Sequence, residues 1–297
     1  MRRFPALALF LFLASGLLSM DWPSSSGVMT KNFGWNEGGL PHLGVSFSDE
    51  GNLAAAEDGE LLYYRREGDT ASRLPSPLGS WAALDHGDGI ISIYSRFDDK
   101  SWDNKLSENL LSENLPGVAE RGKGLGDSGI SGWSSGKGFY FQLYDRKERR
   151  WINPSLIITP PNDIRPPAIL SVRLKDTQDR LFDLSQARNL IQGRYTIIVN
   201  ATDTLISPNE NPLAPYRIMC SLNGIEAGAL NFETYSSRDG SLMVYRNGLV
   251  PVRQVYAPVP AYEIADVWFT RGQTTLEIIA QDIAGNVRNV VYRLQVE

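Results

Sequence analysis

Residues 78–97 read Leu-Gly-Ser-Trp-Ala-Ala-Leu-Asp-His-Gly-Asp-Gly-Ile-Ile-Ser-Ile-Tyr-Ser-Arg-Phe. Two apolar runs, Leu78 to Leu84 and Ile90 to Phe97, flank the turn cluster Asp85-His86-Gly87-Asp88-Gly89. Short apolar runs around an Asp/Gly-rich turn predict an antiparallel hairpin. Outward from it, Trp22 to about Pro160 alternates short apolar runs with glycine-rich turns and carries little helical period, which predicts a β-rich unit. Phe139 to Tyr144 is read as a further strand, with a polar turn at Asp145 to Arg150. Within 105–115, Ser-Glu-Asn-Leu occurs twice in tandem; it is read as a short helix or surface loop, since solenoid repeats are longer, from about 20 residues upward.

Residues 158–167 hold Pro160, Pro161, Pro166 and Pro167 among polar residues, the composition of a stiff linker. Beyond it, Ala168 to Leu174, Tyr195 to Ala201, Tyr216 to Leu222, Thr274 to Ala280 and Val287 to Val296 are strand-like and predict an antiparallel sandwich. The expected layout is a signal peptide over 1–20, a β domain over 21–160, a proline-rich linker over 161–167 and a sandwich over 168–297. The 297 residues, 42% hydrophobic, suffice for two medium cores.

Met1-Arg2-Arg3 precedes an apolar stretch, Phe4 to Leu18, too short for a confident membrane span and suited to an export signal, with cleavage between Ala14 and Met20. Membrane contact is expected only through this segment if it stays uncleaved. Lysine plus arginine count 29 against 34 aspartate plus glutamate, a net charge of -5, with no basic block for a phosphate backbone, so no nucleic-acid partner is expected. Cys220 is the one cysteine, which excludes an internal disulfide; in Ile218-Met219-Cys220-Ser221-Leu222 it is read as a buried structural thiol.

From Trp22 onward the order is Trp22-Pro23, Asn32-Phe33-Gly34-Trp35, His42-Leu43-Gly44-Val45-Ser46-Phe47, then Ala55-Ala56-Glu57-Asp58-Gly59-Glu60-Leu61. Asp85-His86-Gly87-Asp88-Gly89, Ile93-Tyr94-Ser95-Arg96-Phe97, Gly129-Ile130-Ser131-Gly132 and Gly138 to Leu143 follow. This succession, over about residues 22 to 160, resembles the M23 (LytM-type, lysostaphin-like) peptidoglycan endopeptidases. The resemblance implies a zinc held by three protein ligands, with an open position for a nucleophilic water.

Under that resemblance the family's first histidine ligand maps to His42, its aspartate to Ser46 and its third ligand to Tyr140. The histidine of the Tyr-x-His element maps to Arg96 and the other catalytic histidine to Gly138. Only His42 and His86 are histidines in the whole chain, while the family's site uses four and an aspartate. No catalytic residue, no bound metal and no cofactor are therefore expected, although active relatives use zinc. His42 is expected to be a hydrogen-bonded remnant and His86 a turn or packing residue.

Arg96 and Tyr140 are candidates for groove binding. Arg96 offers a planar charged donor for a peptide carboxylate, or pairs with a local acid such as Asp98 or Asp99. Strand alternation places Tyr140 toward the former site, capping the groove or stacking on a ligand, with Phe139 and Phe141 in the core.

In the second half, residues 272–286 end in Ala280-Gln281-Asp282-Ile283-Ala284-Gly285-Asn286, resembling the closing strands of bacterial immunoglobulin-like domains, with an echo at 197–203. Asp203 and Asp282 are read as turn formers, because two strand-end aspartates lack the dense oxygen cluster of a calcium site. Ala257 to Ala261 is read as a surface excursion. Together these readings imply an exported M23-like pseudo-peptidase of a bacterium, periplasmic or extracellular, that binds peptidoglycan or regulates another envelope protein. The alternatives are an active M23-type metalloendopeptidase with an atypical metal site, and a structural or adhesive envelope protein.

Overall fold

A computed structural model describes residues 20–48, 51–68, 74–101, 117–205, 211–257 and 261–297. Residues 1–19 of the segment expected to direct export, the tandem Ser-Glu-Asn-Leu and residues 258–260 of the expected surface excursion lie outside the described residues. The chain is mainly β. Among the described residues no helix is long and apolar enough to cross a membrane.

The hairpin read from the sequence is formed by strands Trp81–Asp85 and Ile90–Ser95, paired antiparallel from Trp81↔Ser95 to Asp85↔Ile91. Gly87 and Gly89 adopt positive φ in its turn, and Ile90 N–H donates to the Gly87 carbonyl at 3.0 Å. Strand Phe139–Asp145 lies beside Ile90–Ser95 and on its other edge meets Val45–Ser48 and Arg150–Ile152. Phe139, Phe141, Leu143, Val45, Leu84 and Tyr94 are all buried and fill the first core with Leu53, Phe97 and Leu125.

In the second half a four-stranded sheet, ordered Leu181–Asp183, Ala168–Asp176, Gly193–Thr202 and Tyr262–Phe269, faces a layer containing Val287–Val296, Gly272–Gln281, Arg217–Leu222 and Ile225–Arg238. Val172, Leu174, Ile197 and Val199 from the first layer and Ile218, Cys220, Leu276 and Ile278 from the second alternate inward to make the second core. One departure from the expected antiparallel pattern is the edge pair Asn189–Leu190 with Val287–Val296, which runs parallel. Cys220 is buried, and burial pushes its thiol up to about 12, so it acts as a small apolar filler and not as a nucleophile.

The two halves are joined by more than the proline-rich segment. Arg150–Ile152 pairs antiparallel with Ile225–Arg238, Trp151 opposite Tyr235, so one sheet runs continuously through both. Phe33 lies in the second core, its ring 5.0 Å from that of Tyr235, while Leu213 lies in the first. Gly34 has φ +85°, and a Cβ there would stand 2.6 Å from the Phe232 ring, so only glycine lets the Phe33 turn enter. Its carbonyl accepts from Tyr256 Oη at 2.8 Å and Tyr262 Oη at 3.3 Å, satisfying a buried acceptor.

Candidate functional site

His42 follows a tight hairpin, Asn36–Glu37 paired with Leu40–Pro41 across Gly38-Gly39, both at positive φ. The Asn32–Trp35 turn fixes its backbone: His42 N–H donates to Trp35 O at 2.9 Å, and Gly34 N–H donates to His42 O at 2.9 Å. Ser46, on Val45–Ser48, stands opposite Tyr140, which on its other side stands opposite Ser95. Directly opposed residues share a sheet face, so Ser46, Tyr140 and Ser95 form one buried row with His42 over it.

His42 Nε2 lies 3.0 Å from Ser46 Oγ, and Nδ1 lies 3.6 Å from Glu37 Oε2. Burial lowers the His42 pKa, with Glu37 opposing it, whereas Glu37 is held at about 2 chiefly by its bond to His42. These two tendencies disagree about the charge on the ring. Burial prevails, because Glu37 is 54% exposed and its attraction is screened by water. A neutral ring satisfies both neighbours when Nδ1–H points to Glu37 and Nε2 accepts from the Ser46 hydroxyl.

Tyr140 covers the ring: centroids are 4.6 Å apart and planes inclined 34°. Arg96 also lies over the Tyr140 ring, its guanidinium carbon 5.5 Å from the centroid. Burial raises the Tyr140 phenol well above its ordinary range, so it stays protonated. Arg96 has φ +72°, a strained backbone for a long side chain. Its Nε and Ser95 Oγ are buried polar atoms without a hydrogen-bond partner.

Glu37, His42 and Ser46 have the order of an acid–imidazole–hydroxyl relay. Ser46 is 2% exposed and lies within a paired strand under Tyr140. A carbonyl carbon cannot approach its Oγ to the roughly 3 Å that attack requires.

A protein-family model matches residues 166–297, less than half of the chain. No curated protein matches it. Among solved structures, the catalytic domain of the prophage-encoded M23 protein EnpA from Enterococcus faecalis is similar, at 19% identity and a TM-score of 0.33, over 44% of this chain and 88% of that one. The catalytic domain of lysostaphin from Staphylococcus simulans is similar at 17% identity and a TM-score of 0.31, over 40% of this chain and 81% of that one. The SpoIIQ–SpoIIIAH pore-forming complex contains a chain similar at 14% identity and a TM-score of 0.35, over 48% of this chain and 92% of that one. The chain is similar in part to M23 peptidase structures.

The structure brings His42, Ser46, Tyr140 and Arg96 together. Gly138 lies at the start of the same strand, where a Cβ would stand 2.1 Å from the Phe47 carbonyl oxygen, so no side chain fits on this backbone. One neutral imidazole, a hydroxyl and a protonated phenol do not fit a tetrahedral zinc, which takes imidazole, thiolate or carboxylate donors. Asp98 and Asp99, the expected local partners of Arg96, are turned elsewhere: Asp98 Oδ1 accepts from Ser101 N–H and Asp99 Oδ1 from Ser80 Oγ. His86 bridges Asp58 O at 2.7 Å and Ser92 Oγ at 2.6 Å, tying its turn to the sheet.

Sequence reasoning did not include Glu37. Its signal was the Asn36-Glu37-Gly38-Gly39 turn, whose paired glycines close a two-residue hairpin and bring an acid back toward the histidine that follows.

Proposed function

We propose that this chain is an exported M23-like pseudo-peptidase of a bacterial envelope, which binds peptidoglycan or regulates another envelope protein and does not hydrolyse peptide bonds through zinc. The observation that carries this reading is the closed corner at His42: Ser46 takes Nε2, Tyr140 covers the ring, and Gly138 has no space for a side chain. The motif order from Asn32 to Leu143 supports the scaffold, and the Arg2-Arg3 segment with its apolar stretch supports export.

What is left of the site is suited to recognition. Arg96, half-buried, keeps a permanent charge beside the Tyr140 ring and offers its guanidinium to a ligand carboxylate. An extended stem peptide offers such carboxylates.

Calorimetric zinc titration of the chain, with His42→Ala as control, tests the loss of metal chemistry. The reading expects no His42-dependent binding at micromolar zinc and no clearing of a peptidoglycan zymogram, with or without chelator. Tight one-to-one binding lost in His42→Ala, together with chelator-sensitive clearing, would return an active metallopeptidase. Co-sedimentation with purified cell wall then tests recognition, and Arg96→Ala is expected to weaken it.

A further inference from the structure

Three aspartates remote in sequence meet beside the proline-rich segment. Asp163 comes from that segment, Asp203 follows strand Gly193–Thr202, and Asp282 follows strand Gly272–Gln281. They are 7%, 5% and 1% exposed, and one carboxylate oxygen of each lies within 4.8 Å of the others.

Two of these carboxylates are incompletely satisfied. Asp163 Oδ1 accepts from Arg165 N–H at 3.0 Å, but Oδ2 is buried without a partner; Asp203 Oδ1 is likewise buried and unpartnered. Asp282 accepts from Asn286 through both oxygens, at 2.8 and 2.7 Å, and Asn286 Nδ2 also donates to Asp163 O at 3.1 Å. The ion pairs of the described residues leave all three aspartates without a lysine or arginine. Unpaired buried carboxylates are costly, and several together repel one another. Burial, then the charge of Asp282, pushes the Asp203 carboxyl up to about 7.

We propose that Asp163, Asp203 and Asp282 form a calcium site that fastens the proline-rich segment to the sandwich. Oxygen-only donors from carboxylates select hard cations over zinc or copper. Oxygens on a calcium sphere of about 2.3–2.6 Å radius stand up to about 5 Å apart, so the present spacing accommodates calcium without rearrangement, and calcium tolerates the irregular geometry that three separate segments impose. The expectation that Asp203 and Asp282 are only turn formers took them as isolated; the fold adds Asp163 and buries all three. A cation here would also hold the first core in place, because Asp203 exchanges both backbone hydrogen bonds with Leu213, at 2.8 and 2.9 Å, and Leu213 is part of that core.

The test uses the full chain stripped of metal with chelator at pH 8. Calorimetric titration with calcium chloride is expected to show one site with a dissociation constant of about 10–1000 μM, and the melting temperature is expected to rise with calcium. Asp203→Asn keeps the shape of the side chain and is expected to abolish the calcium-dependent shift, while Asp88→Asn, 93% exposed in its side chain, is expected to leave it unchanged. Absence of wild-type binding up to 10-fold above about 1 mM calcium would overturn the proposal. So would a shift that persists in Asp203→Asn, or one that magnesium reproduces at equal concentration. If Asp203→Asn does not fold, the wild-type titration alone decides. The zinc and cell-wall assays do not involve these aspartates, so this site and the pseudo-peptidase reading fail or stand separately.

Discussion

Tyr140 stacks on His42 with ring centroids 4.6 Å apart, and the same phenol ring lies 5.5 Å from the Arg96 guanidinium carbon. One aromatic ring thus contacts both the imidazole and the guanidinium. Removing it should therefore change both stability and access. Tyr140→Ala is expected to cost about 3–5 kcal/mol, as for other large buried aromatics, whereas Tyr140→Phe keeps the ring and should cost under about 1.5 kcal/mol. Urea unfolding of the two variants checks this. Equal losses would show that the hydroxyl, not the ring, holds the corner.

His42 is predicted to remain neutral below its ordinary pKa of 6.5, since burial lowers it in the folded chain. The unfolded chain then binds a proton that the folded chain does not. Stability gained from this residue is complete above about pH 6.5 and declines as pH falls below it. His86 is lowered in the same way. Denaturant midpoints between pH 5 and 7 should therefore rise with pH, and His42→Gln should flatten part of that slope. Ring-proton chemical shifts give a direct check: if His42 titrates at or above 6.5, the neutral-ring assignment is wrong.

Placing M23-type zinc-site residues at these positions is not expected to create a metal site. Gly138→His must place a Cβ 2.1 Å from the Phe47 carbonyl oxygen, so the strand pairing Phe139↔Phe47 has to shift. Gly138→His is expected to destabilise by more than about 1 kcal/mol, in the range of overpacked sites. Ser46→Asp with Gly138→His together are expected to gain no micromolar zinc binding by calorimetry. Recovery of tight binding with unchanged stability would mean that the strand is more adaptable than its packing implies.

Local chemistry accounts for what the sequence made legible. The hairpin around Asp85 to Gly89 is announced by its own turn residues, and Phe139–Asp145 by an apolar run; both need nothing distant to be read. Ile225–Arg238 is not legible in the sequence, because its Glu226, Gly228, Asn231 and Glu233 interrupt the apolar pattern. The strand is held from outside: Gly228 lies where a Cβ would meet Ala265 at 2.6 Å, and Trp151 pairs opposite Tyr235. Tyr262–Phe269 is absent from the sequence-based strands, although its Glu263, Asp266 and Trp268 face outward between buried neighbours. At the site, His42, Ser46, Arg96, Tyr140 and Gly138 were named from motif order, whereas Asp163 joins Asp203 and Asp282 only through the fold.

The contact of Phe33 with the second core yields the last prediction. Phe33 is 1% exposed and packs on Tyr235, while Gly34 after it lies against Phe232 and has its carbonyl held by Tyr256 and Tyr262. Asn36 Nδ2 donates to Ala257 O at 2.8 Å and Ala261 O at 3.1 Å, and Asn153 Nδ2 donates to Phe232 O at 2.9 Å, so the same junction is closed by polar contacts on both sides. With one sheet continuous through both halves, the chain is expected to unfold in a single transition. Phe33→Ala should cost about 3–5 kcal/mol and split that transition into two, because it removes an apolar contact that neither core replaces. Differential scanning calorimetry with each half's tryptophan fluorescence distinguishes the outcomes. If Phe33→Ala lowers the midpoint but leaves one sharp transition, coupling between the halves is carried by the Arg150–Ile152 pairing with Ile225–Arg238. In that case Trp151→Ala, not Phe33→Ala, should separate them.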